Sequence, residues 1–109
     1  MANTFGKDFI IQALDPHETA LFYVEQLGFE ITDETSELVS LQGKNINMYI
    51  ERGLSLGGPV LEVTVADVAE ATARLVANGC VVIKDEPQFP RTYVQDPMGL
   101  IYNLTTRAL

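Results

Sequence analysis

The closing stretch VQDPMGLIYNLTT poses a chemical choice at Asn103. Asp96-Pro97-Met98-Gly99 reads as a tight turn, and the residues after it as a strand. Side chains alternate along a strand, so Tyr102 and Leu104 share one face while Ile101, Asn103 and Thr105 share the other. A carboxylate at this position would be a metal ligand or a proton acceptor, whereas the carboxamide is neutral. The remaining candidates are carboxylates and phenols. Asp8, Glu51 and Glu62 could each serve as a general base where burial raises the carboxyl pKa. Tyr49 and Tyr93 could stack on a flat ring or hold a cation over their faces. The one histidine, His17, falls in the first turn of a helix and reads as exposed. No Gly-x-Ser-x-Gly elbow accompanies it. Cys80, the only cysteine, excludes an internal disulfide and reads as a packed thiol at the start of a strand.

The elements that must position these groups are written twice. The stretch DFIIQALDPHETALFYVEQLGFEITD, from Asp8, is echoed by VLEVTVADVAEATARLVANGCVVIKD, from Val60. Asp15 and Glu18 correspond to Asp67 and Glu70, and Gly28 to Gly79. Each half opens on an alternating strand, with Phe9, Ile11 and Ala13 on one face in the first and Leu61, Val63 and Val65 in the second. Each aspartate then caps a helix, and Pro16 suits the first helical position because no N–H is needed there. Apolar spacing points Ala20, Tyr23 or Val24, and Leu27 inward from the first helix, and Val68, Ala71 and Leu75 from the second. Gly28 and Gly79 end the helices by taking positive φ. Three short strands follow in each half: FEIT, LVSLQ and INMYIE, then CVVIK, RTYVQ and LIYNLTT. The pattern predicts two βαβββ modules, about residues 5–52 and 58–107, in one α+β domain spanning 1–109. RGLSLGGPV joins them and lacks the Gly-Lys-Ser/Thr ending of a phosphate-binding loop. DEPQFPR reads as a surface loop.

Composition narrows the function classes. Of 109 residues 47% are hydrophobic, enough for one core, and fifteen acidic side chains face seven Lys and Arg for a net charge of −8. No basic stripe exists for a phosphate backbone, so nucleic acid and anionic membranes are excluded as partners. No stretch reaches the about 18 apolar residues of a membrane span, and MANTFGKDF lacks a secretory apolar core, so a cytoplasmic protein is expected.

LDPHETALFYVEQLGFE, VADVAEATARLVANG and DPMGLIYNL, together with the doubled strand-helix-three-strand plan and the length, resemble the vicinal oxygen chelate superfamily. That group holds glyoxalase I, extradiol dioxygenases, fosfomycin-resistance enzymes and bleomycin-resistance proteins. The resemblance implies a curved mixed sheet around a cavity, with helices on the convex side. It would place Asp8, Gln12, Asn47, Tyr49, Glu51, Glu62 and Asn103 on the concave side, with Tyr93 near them.

Metal-using members supply His, Gln or Glu from the first strand of each half and a carboxylate from the last strand of each half or of the second half. The matching positions here are Asp8, Val60, Glu51 and Asn103. Val60 has no donor atom and Asn103 only a neutral oxygen, so no cofactor is expected; the alternative is an all-oxygen Mg²⁺ or Mn²⁺ site from Asp8, Glu51, Glu62 and Asn103. The resemblance thus points to the metal-free, bleomycin-resistance-like branch. It implies a homodimeric small-molecule binding protein that sequesters an aromatic or cationic compound such as an antibiotic. The alternative is a divalent-metal-dependent lyase, isomerase or dioxygenase.

Overall fold

The computed structural model describes residues 3–86 and 91–106. Its elements divide between two compact units. One runs from Lys7 to Pro59; the other takes the described residues from Val60 onward together with those up to Gly6. The opening strand β1 (Thr4–Ala13) begins four residues before Asp8, and its first residues group with the second unit. There Phe5 meets the ring of Tyr102 edge to face, with centroids 6.3 Å apart.

In the first unit β1 leads to α1 (Pro16–Leu27), β2 (Glu30–Glu34), β3 (Leu38–Gln42) and β4 (Asn47–Arg52). The spatial order is β2-β3-β4-β1, with β1 and β4 parallel and the other pairs antiparallel. The second unit repeats the plan with β5 (Val60–Thr64), α2 (Val68–Ala77), β6 (Val81–Glu86), β7 (Arg91–Gln95) and β8 (Ile101–Thr105). Its order is β5-β8-β7-β6, with β5 and β8 parallel. Both second strands carry an irregularity at the matching place, between Ile31 and Asp33 and between Val82 and Lys84. The repeat therefore extends to a β-bulge that alternation alone does not reveal.

The helices begin as their capping residues require. Asp15 accepts from the Glu18 N–H at 3.1 Å and Asp67 from the Glu70 N–H at 3.0 Å. They end differently. Gly28 turns at φ 76°, and its N–H and that of Phe29 both close on the Tyr23 carbonyl. After α2, Gly79 (φ 101°) and Cys80 donate to Val76 and Leu75, the paired closure of a Schellman motif.

Each helix covers one face of its own sheet. Ala20, Phe29, Val39, Leu41, Met48 and Ile50 form the first core, with Phe9, Ile11, Tyr23 and Val24 against it. Val63, Val65, Ala71, Val94, Tyr102 and Leu104 form the second, with Leu61, Val68 and Leu75. Burying a side chain the size of Ile50 or Leu41 contributes about 2 kcal/mol. Leu27 departs from its expected inward position. It is 64% exposed, because the chain reverses at Gly28 and Phe29 takes the core place instead. The expected loop DEPQFPR is divided: Asp85 and Glu86 belong to β6 and Arg91 to β7, while residues 87–90 lie outside the described residues.

Candidate functional site

With Phe9, Ile11, Met48 and Ile50 turned toward α1, alternation sends Asp8, Ile10 and Gln12 of β1 and Asn47, Tyr49 and Glu51 of β4 to the other face. The parallel register decides who meets whom. Asp8 lies opposite Asn47, Ile10 opposite Tyr49, and Gln12 opposite Glu51. Two carboxylate–carboxamide pairs result. Asn47 Nδ2 donates to Asp8 Oδ1 at 2.9 Å, and Gln12 Nε2 donates to Glu51 Oε1 at 3.1 Å. Asp8 is only 5% exposed; Gln12, Asn47, Tyr49 and Glu51 are half-buried.

A third pair stands on the corresponding face of the second unit. Glu62 lies opposite Asn103, and both are 5% exposed. Asn103 Nδ2 donates to the two Glu62 oxygens at 3.2 and 3.3 Å, while Asn103 Oδ1 accepts from the Thr92 backbone N–H at 2.9 Å. That backbone donor settles the orientation of the amide: its oxygen is taken by Thr92, so its N–H groups must face the carboxylate. The role of Asn103 is thus to hold Glu62.

Tyr93 differs from its expected place beside an open site. It pairs with Asn103 across β7 and β8, but it is fully buried, with Lys84 Nζ 5.6 Å from the ring centroid. The ring therefore packs within a row, Lys84–Tyr93–Asn103–Glu62, that crosses all four strands in register. Lys84 escaped the sequence reading because the bulge after Val82 shifts its face. The Thr92 contact left no signal, since a backbone N–H is the same at every residue but proline.

The expected metal-ligand positions of the first unit do not converge. Asp8 and Glu51, taken as ligand positions by resemblance, are four residues apart in register, roughly 13 Å along the strands. Val60 faces Ile101, an apolar pair. Among the described residues no three His, Cys, Asp or Glu side chains come close enough to share an ion. Each of the three carboxylates instead accepts from a neutral amide.

The other reactive side chains lie elsewhere. His17, in the first turn of α1, pairs through Nδ1 with the Glu34 carboxylate at an exposed position. Cys80 is buried 3.7 Å from the Tyr102 hydroxyl. Burial above all, then the contact with Cys80 and the charges of Cys80 and Asp96, pushes the Tyr102 hydroxyl well above the ordinary phenol range.

A family model described as a glyoxalase-like domain matches residues 8–105. No curated protein matches the sequence. Solved structures share the fold. A glyoxalase/bleomycin resistance protein/dioxygenase superfamily member from Vibrio splendidus 12B01 is 20% identical with a TM-score of 0.65, covering 93% of this chain and 97% of that one. Methylmalonyl-CoA epimerase from Streptomyces coelicolor is 20% identical with a TM-score of 0.60, over 98% and 100%. Homoprotocatechuate 2,3-dioxygenase from Brevibacterium fuscum is 21% identical with a TM-score of 0.66, over 98% of this chain and 38% of its own. At these identities the likeness is one of fold, and it agrees with the doubled βαβββ plan. The chain belongs to the glyoxalase-like domain family.

Proposed function

We propose that the protein is a metal-independent small-molecule binding protein of this family, taking an aromatic or cationic organic compound, an antibiotic among the candidates. One observation carries the reading. On the face of the first unit turned from α1, half-buried Tyr49 stands between Asn47 and Glu51 along β4, and the carboxylates Asp8 and Glu51 accept from carboxamides. A phenol ring beside acidic groups recognises a flat ring with a positive group, by stacking or cation–π contact and by charge. The net charge of −8 favours approach of the same ligands. The fold alone is neutral on the point, since it serves an epimerase and a dioxygenase among its relatives.

The protein acts in this reading as a cytoplasmic homodimer; among the described residues no helix is long and apolar enough to cross a membrane. The test has two parts. Protein incubated with Mg²⁺, Mn²⁺, Ni²⁺, Zn²⁺ or Fe²⁺ and desalted is expected to hold far less than one metal per chain by elemental analysis. Thermal melting with benzyltrimethylammonium or benzamidine is expected to rise with probe concentration, and with benzyl alcohol to stay flat. Near-stoichiometric metal that vanishes in an Asp8→Ala/Glu51→Ala double variant would overturn the reading in favour of a metal-dependent lyase, isomerase or dioxygenase. Light scattering checks the dimer.

A further inference from the structure

Gln12 and Glu51 face each other directly across the parallel strands β1 and β4. Gln12 Nε2 donates to Glu51 Oε1 at 3.1 Å. The opposite setting of the amide would press two acceptors together, so the carboxylate fixes which way the glutamine lies. Its oxygen, Oε1, is then directed away from that bond. It is buried, and among the described residues it meets no hydrogen-bond donor. A buried acceptor in this condition has lost its water without gaining a partner, and a donor brought by a ligand would recover that loss. Arg52, the arginine next in sequence, is directed elsewhere: its guanidinium donates to the carbonyls of Leu14 and Ser36 and to Glu37.

Resting on the binding reading above, we propose that Gln12 and Glu51 form a subsite for a group with paired N–H donors: an amidinium, a guanidinium or a primary ammonium. The unpartnered amide oxygen takes an N–H of such a group, and the Glu51 carboxylate bonded to the same glutamine supplies the opposite charge. A quaternary ammonium carries charge but no donor and would leave Gln12 Oε1 as it is. Tyr49 stands two residues before Glu51 on the same face, roughly 7 Å along the strand, where the ring of a benzylic or phenyl ligand would lie.

Benzamidine and benzyltrimethylammonium separate charge from donors. Their affinities are read by chemical-shift titration of ¹⁵N-labelled protein, following the Gln12 side-chain NH₂ and the backbone signals of Tyr49 and Glu51. Benzamidine is expected to bind at least about tenfold more tightly. In Gln12→Met, checked for folding by its thermal melt, the ratio of the two affinities is expected to fall within about twofold. Should that variant not fold, Glu51→Gln is expected to weaken benzamidine at least about fivefold. Equal wild-type affinities, an unchanged ratio in Gln12→Met, or unchanged benzamidine binding in Glu51→Gln would each overturn the subsite while leaving the cation-binding reading in place. Failure of both probes to bind would overturn both.

Discussion

Exchanging the polarity of the Glu62–Asn103 pair tests whether donor and charge, rather than shape, hold it together. Both side chains are 5% exposed, and Asn103 makes one bond to the Thr92 N–H and two to Glu62. Asn103→Asp preserves the volume and the acceptor for Thr92 but replaces the N–H donor by a second carboxylate oxygen. Losing a hydrogen bond to a charged group costs about 1.5–3 kcal/mol, and the facing like charge adds to it, for a total of about 3–5 kcal/mol. That is a large share of the about 5–15 kcal/mol that stabilises an ordinary domain. Glu62→Gln alone leaves the Asn103 amide an acceptor and is expected to cost about 1 kcal/mol. In the double variant the new glutamine donates to the new aspartate, which still accepts from Thr92. Its loss should shrink to about 1–2 kcal/mol, a coupling of roughly 3 kcal/mol in its favour. Urea unfolding followed by circular dichroism at pH 7 measures all three variants. A double variant no more stable than Asn103→Asp would refute the assignment of Asn103 as the donor that holds Glu62.

Four further changes probe the scaffold. Asp67→Ala removes the acceptor for the Glu70 N–H and should cost about 1 kcal/mol in urea unfolding. Gly28→Ala meets no atom within 4 Å, so its loss of about 1 kcal/mol comes from the φ of 76° alone. Gly43→Ala should cost more, about 2–3 kcal/mol, because its Cβ would stand 2.7 Å from the Ile46 carbonyl and 2.9 Å from the Phe29 ring. Alkaline pH reads the Tyr102 hydroxyl, whose folded pKa is raised above the unfolded value. Above about pH 10 the unfolded chain gives up this proton while the folded chain keeps it, so stability is full below that pH and falls as pH rises. Unfolding measured from pH 8 upward should show this fall, and Tyr102→Phe should reduce it.

Much of the fold was legible because local rules agreed with one another. Asp15 and Asp67 mark the helix starts, Gly28 and Gly79 their ends, and alternation assigns the faces of β1, β4, β5 and β8 that pack under the helices. Leu27 was misread because helical spacing continues its inward stripe into a turn where the chain is already reversing. Tyr93 was expected near the polar face with no sign of its full burial, because burial is a property of everything packed around a side chain, and strand alternation carries none of that. Lys84 was missed for a different reason, since one extra residue in a bulge inverts the alternation behind it.

The candidate site shows where such reading stops. Side chains repeat every two residues along a strand, so sliding β4 past β1 by an even number of residues leaves every face as it was. A slide of four would set Glu51 against Asp8 and bring two carboxylates together; the register found sets an amide against each. Hydrophobic pattern cannot distinguish these arrangements, although one would set two carboxylates together as for a metal ion and the other gives each carboxylate an amide partner. The distinction is made by the chain between the paired strands. In the first unit Arg52 anchors the end of β4 to the Leu14 carbonyl after β1 and to the Ser36 carbonyl before β3, and the Gly53 N–H donates to Ala13. In the second, the Val65 N–H donates to the Thr105 carbonyl just past the last register pair. These contacts lie at the strand ends, away from the polar faces. The chemistry open to Asp8, Glu51 and Glu62 is therefore set by the strand register, which residues outside the site help to hold.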